Sequence, residues 1–162
     1  MGFSLSHAIL RAAAGAFILN SGVSKLKLDA ERAEGLRDMT ANAFPQAEQV
    51  PPEKFGKAVA SGEIVLGAAL LAPFVPTRLA ALGLTAFSGG LLAVYAKTPG
   101  LTQDDGVRPT QAGTAMAKDV WLAAIGAALL VDRKRRPAKA KVEAAKAKAA
   151  TVKAKAKAKA AQ

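Results

Sequence analysis

Residues 79–96, LAALGLTAFSGGLLAVYA, form an eighteen-residue run without a charge, held between the 76–78 turn and Lys97. As a helix this run is about 27 Å long, close to the hydrocarbon thickness of a bilayer. A buried helix in a small soluble domain seldom needs that length apolar on every face, so the stretch predicts a membrane span. Three other segments repeat the pattern more weakly: 58–75 is apolar except for Glu63, 113–131 except for Lys118 and Asp119, and 8–28 is small and apolar around Arg11 and Lys25. Separated by Pro- and Gly-bearing connections, the four predict an all-α fold: a four-span transmembrane helix bundle over residues 1–132, with spans at about 8–28, 58–75, 79–96 and 113–131. The competing reading is a soluble all-α bundle with one unusually apolar core helix.

The polar positions inside these spans are patterned. On the first span Arg11, Gly15, Ile18, Gly22 and Lys25 recur at offsets of 4, 7, 11 and 14, which puts them along one helical face. Two charges and two glycines on one stripe point that stripe into the bundle. Gly15, Gly22, Gly67, Gly83, Gly90 and Gly126 are expected at helix–helix contacts, because a missing side chain lets backbones approach. The bland alternative for Arg11 and Lys25 is snorkelling from the two ends of a short span. Asn20 reads as interhelical glue and Trp121 as an interfacial anchor.

Charge divides the chain sharply. Residues 1–132 carry eleven Lys/Arg and eleven Asp/Glu, whereas residues 133–162 carry twelve Lys/Arg and one acid, Glu143. The tail therefore supplies the whole +11. Its Lys/Ala composition cannot bury a core, so it is expected to be disordered or transiently helical. Such a tail seeks polyanions, and no aromatic residue is interleaved to read bases. Attraction to anionic lipid headgroups, worth about 1 kcal/mol per Lys near the surface, is favoured over nucleic acid. Basic residues 133–136 abut the fourth span and put both termini in the cytoplasm of a multi-pass cell-membrane protein. Arg32, Arg37, Lys54 and Lys57 in the 29–57 loop would then lie outside, against the rule, but the tail has the larger count.

In that orientation Lys25, Glu63, Tyr95, Lys118 and Asp119 share one level near the outer leaflet, an intramembrane polar cluster drawn from four helices. Carboxylates in hydrocarbon are costly unless paired or protonated. Lys25–Glu63 is one expected pair, and Asp119 with Lys25 or Lys118 another; Ala123 and Gly126 share the Asp119 face and favour Asp119 over Lys118 as the inward residue. At the inner end Arg11 and Asp132 lie at comparable depth and are expected to pair. The cluster reads either as register-fixing ion pairs or as a pocket for a small ligand, a proton or a quinone headgroup.

The chain has no cysteine, one histidine (His7) and three methionines, which excludes thiolate catalysis, disulfides, iron–sulfur centres and bis-histidine haem within it. No metal site, no catalytic residue and no cofactor bound by this chain alone are expected, a quinone being left open as a possible cofactor. Arg11 interrupts the first apolar stretch and no basic region precedes it, so that stretch is expected to stay as an anchor rather than be cleaved as a signal peptide.

The residues also resemble a known family. LRAAAGAFILNSGVSKL (10–26) looks like the first-helix signature of the DoxX family, an arginine, a glycine, an apolar run and Gly-x-x-Lys in that order. SGEIVLGAALLAPFVPTRLAAL (61–82) resembles its second-helix Gly-Glu-x-x-x-Gly with the following tight turn, and AKDVWLAAIGAALLVD (117–132) its fourth-helix segment. The tail lies outside the family pattern and looks like an actinobacterial addition. The resemblance implies a four-helix integral membrane protein, of a family named for small membrane subunits of a thiosulfate:quinone oxidoreductase, with some members associated with oxidative-stress enzymes. The motifs point to Arg11, Gly22, Lys25, Glu63 and Asp119.

Three functions follow as expectations. The first is a membrane subunit or anchor of a redox assembly with a redox-enzyme partner, since no residue here carries electrons. The second is a non-catalytic scaffold whose tail gathers anionic lipid, nucleic acid or acidic proteins. The third is a small-solute or proton transporter, favoured by Glu63 and Asp119 but without paired broken helices. The oligomeric state is not read from the sequence.

Overall fold

A computed structural model describes residues 5–132, together with Lys146 and Thr151. The chain divides into two units, Met1–Val131 and Asp132–Gln162. The expectations for the tail fall almost wholly on residues outside the described ones.

The first unit is all-α: α1 (Leu5–Lys25), α2 (Ala30–Ala41), a 3₁₀ turn (Pro45–Gln49), α3 (Pro52–Leu71), α4 (Thr77–Lys97), α5 (Thr114–Ala117) and α6 (Val120–Val131). Among the described residues the only β feature is a single bridge between Thr102 and Pro109. Two stretches are long and apolar enough to cross a membrane, Thr77–Lys97 and Thr114–Val131, the latter made of α5, α6 and the residues between them.

Boundaries follow local chemistry. Lys25 closes the last turn of α1, where a cation complements the helix dipole. The Asp29 carboxylate caps α2 by accepting from the Arg32 amide at 2.8 Å, so the 29–57 connection is largely helical. Pro52 in the first turn starts α3 six residues before the apolar run, because a proline there lacks only an N–H that had no partner. That helix stops at Leu71, ahead of Pro73. Residues 113–131 are not one continuous helix, since α5 ends at Ala117 and α6 begins at Val120.

The helices pack as two close pairs, α1 on α3 and α4 on α6, with α2 laid on α3. Glycine sets the first crossing. A Cβ on Gly67 would stand 2.6 Å from the Leu19 backbone nitrogen, and one on Gly22 would stand 2.8 Å from the Ala60 carbonyl oxygen. Gly15 meets Leu70 in the same way, and Gly126 lies against Thr85 at the second crossing. Gly83 touches only the end of Leu66, and the space beside Gly90 is open, so Gly90 makes no helix contact of the kind its position in a span predicts. The core holds Ala14, Ile18, Leu70, Ala80, Leu84 and Leu122.

Parts of α1 and α3 turn large apolar side chains outward and charged ones inward. Arg11 and Glu63 are buried at 8% and 3% exposure, while Ile9 and Phe17 on α1 and Val65 on α3 stand 59%, 60% and 69% exposed. Trp121 lies out on α6.

Candidate functional site

Lys25, on the last turn of α1, and Glu63, midway along α3, meet across the glycine crossing. The Lys25 ammonium donates to Glu63 Oε1 and Oε2, each at 2.9 Å, and to Ser21 Oγ at 2.6 Å. Ser21 lies one turn before Lys25 and so presents the same face. Gly22 is what lets this pair form: its Cα faces Glu63 Cβ so closely that a methyl group there would lie 2.9 Å from it.

Beside the pair is a cavity of about 180 Å³, lined by the two ionic side chains, Ser21, Asp119, and the apolar Phe17, Phe87 and Leu91 among others. Asp119 enters it from the break between α5 and α6. Two carboxylates and one ammonium therefore share a site with aromatic and aliphatic walls. A second, smaller hollow of about 140 Å³ also borders Lys25, lined by the start of α2 and the start of α3 and including Glu53 and Lys57.

The remaining members of the expected cluster go elsewhere. Tyr95 is buried, but its hydroxyl donates to the Val107 carbonyl at 2.9 Å, holding the 98–113 connection against α4. The Lys118 side chain is exposed. Shared depth had grouped them; position around the helix separates them. Asn20 also lies on the exposed side of α1. Ser21 was not singled out in the sequence, although its four-residue spacing from Lys25 carried the signal. The aromatic walls were indistinguishable from ordinary apolar span residues.

Arg11 forms a second polar centre at the α3–α4 corner. Its Nε donates to the Leu70 carbonyl at 2.8 Å, Nη1 to the Val75 carbonyl and Thr77 Oγ1 at 2.9 and 3.1 Å, and Nη2 to the Ala69 and Ala72 carbonyls at 3.0 and 2.7 Å. All five guanidinium donors are thus committed to the corner. The corner suits a guanidinium, because the carbonyls at the end of α3 have no intrahelical donors and a forked cation can serve several at once.

Outside the spans, the 102–110 turn is held by Asp105. Its carboxylate accepts from the Val107 and Arg108 amides at 3.0 and 2.9 Å and pairs with the Arg108 side chain. The Arg108 side-chain bond chiefly, then the two amides, holds the Asp105 carboxyl below the usual carboxylate range. Gly106, with φ of 69°, supplies the left-handed residue the turn requires.

A family model, DoxX, matches residues 6–96, more than half of the chain. The chain belongs to the DoxX family. The DoxX match takes in α1 to α4 and so includes Arg11, Gly22, Lys25 and Glu63, while Asp119 and the fourth apolar segment lie beyond it. No curated protein and no solved structure matches the chain. Among the described residues no group of three or more His, Cys, Asp or Glu side chains is placed to hold a metal ion.

Proposed function

We propose that this DoxX protein is a four-span membrane subunit of a redox assembly and that its cavity receives one ring of a small ligand, a quinone headgroup being the class that fits. The observation that carries the reading is the cavity itself, about 180 Å³ lined by Lys25, Glu63 and Asp119 together with Phe17, Phe87 and Leu91. An apolar cavity of about 150 Å³ accommodates benzene, so the space suits a single six-membered ring. Aromatic walls with a few convergent polar groups are the usual furniture of a small-molecule site.

Four spans are supported by the distribution of charge on α1 and α3. Within the apolar stretches α1 buries Arg11 and α3 buries Glu63, while Ile9, Phe17 and Val65 turn outward, the arrangement that favours contact with lipid on those faces. Arg11 and Glu63 lower the mean hydropathy of these helices although both side chains are buried. With both termini cytoplasmic, the cavity lies toward the outer leaflet. Electrons would come from a flavin or metal on a partner, because the side chains here have no redox chemistry of their own.

Purification in mild detergent with native lipid, followed by identification of co-purifying proteins and extracted quinones, tests the reading. The expected result is a stoichiometric quinone and a flavin- or metal-bearing partner. Neither quinone nor redox partner, with anionic lipid or nucleic acid retained instead, would favour a scaffold acting through the basic tail. Proton or solute flux in proteoliposomes without a partner would favour a transporter.

A further inference from the structure

The hydrogen-bonding capacity of the cavity is unevenly spent. The Lys25 ammonium has three N–H donors, and all three are engaged, two by Glu63 and one by Ser21. Glu63 is in turn neutralised by this pair, at a side-chain exposure of only 4%. Among the described residues no hydrogen bond reaches the Asp119 carboxylate, although the side chain lines the same cavity. With Asp119 taken as ionised in the field of the Lys25 ammonium that lines the same cavity, what the site presents to a ligand is an acceptor at Asp119 and, from Ser21, one neutral hydroxyl donor. No cationic donor is uncommitted.

A ring bearing only carbonyl oxygens would set its lone pairs against those of Asp119 and could reach a strong donor only by breaking the Lys25–Glu63 pair. A ring bearing hydroxyl groups meets no such conflict. One hydroxyl donates to the Asp119 carboxylate, a charge-assisted bond about twice as strong as a neutral one, and another accepts from Ser21. Building on the ring-ligand reading above, we infer that the cavity selects a hydroxylated ring, a hydroquinone or related phenol, over its oxidised quinone, and that Asp119 is the residue that makes the selection. Glu63 has a different task, holding Lys25 away from the ligand.

The test uses the full chain in lipid nanodiscs under anaerobic conditions, with tetramethylhydroquinone and tetramethylbenzoquinone as paired probes; their methyl groups block addition to lysine. Binding to protein-free discs is subtracted. The wild type is expected to bind the hydroquinone at least about tenfold more tightly than the quinone, the factor that a hydrogen bond to a charged group commands. Asp119→Asn and Asp119→Leu should bring the two affinities to within about threefold of each other, the loss falling on the hydroquinone. Phe17→Trp, at the exposed side of the cavity, and Leu91→Trp, within it, should weaken both probes together. Equal wild-type affinities that both fall in the tryptophan variants would keep the ring site and overturn the selection. A wild-type preference for the quinone would mean that Asp119 acts as a donor and would also overturn it. Binding indifferent to both tryptophan variants would remove the ring site, and the inference with it.

Discussion

At the scale of single residues, two ionic centres carry the interior, and each makes a distinct demand. Glu63→Ala leaves the Lys25 ammonium with Ser21 as its remaining hydrogen-bond partner. Removing one member of a buried pair costs about 3–5 kcal/mol, so the variant should melt well below the wild type in detergent, whereas Lys118→Ala, at an exposed position, should not. An Asp105 effect belongs to acid pH alone. Its carboxyl lies below the usual range when folded, so its contribution is complete above the unfolded value of about 3.9 and is lost as pH falls through the lower folded value. The protection factors of the Val107 and Arg108 amides, relative to intrinsic exchange at each pH, should hold down to about pH 4 and fall only below it. Loss of protection near neutral pH would contradict this account. The sequence made Lys25, Glu63 and Asp119 conspicuous because a charge in an apolar run is costly wherever it sits. It could not show that the Tyr95 hydroxyl turns to a loop carbonyl, since depth along a helix says nothing about direction around it.

At the scale of elements, the α1–α3 crossing depends on the absence of side chains. Gly67→Ala sets a methyl against Leu19 backbone and, as overpacking does, should cost about 1–3 kcal/mol. Gly90→Ala meets open space and should instead stabilise, by up to about 1 kcal/mol, because alanine is the better helix former. Thermal melts of the two variants in the same detergent should shift in opposite directions. Periodicity sufficed to predict helices in all four apolar segments. It missed α2, which has little apolar face and is signalled chiefly by Asp29 at its cap, and it missed the interruption between α5 and α6, where no proline or glycine marks the break. The start of α3 was misplaced for the opposite reason: Pro51 and Pro52 read as loop, yet Pro52 stands in the helix's first turn.

At the scale of the whole molecule, the neutral body and the basic tail are expected to act separately. Removing residues 138–162 should leave the body folded and inserted, and should weaken binding to anionic liposomes. In the intact chain that binding should fall steeply with salt, as counterion release and headgroup attraction require; binding indifferent to truncation or salt would show that the division is wrong. A cysteine placed at Ala161 should resist an impermeant thiol reagent on intact cells, while one at Asp104 should react.

Arg11 bears on how such a chain is made. Its helix is synthesised first, carrying a cation that costs about 2.5–3.5 kcal/mol at the centre of a span and less toward the end where Arg11 lies, while the carbonyls that satisfy it belong to residues 69–75, some sixty positions later. Until those residues emerge, the first helix has no dry partner for its guanidinium and rests most comfortably with that end in the headgroup zone. Arrival of the corner supplies five acceptors at once. Burial of the Arg11 guanidinium is thereby coupled to closure of the bend, by a segment halfway along the chain.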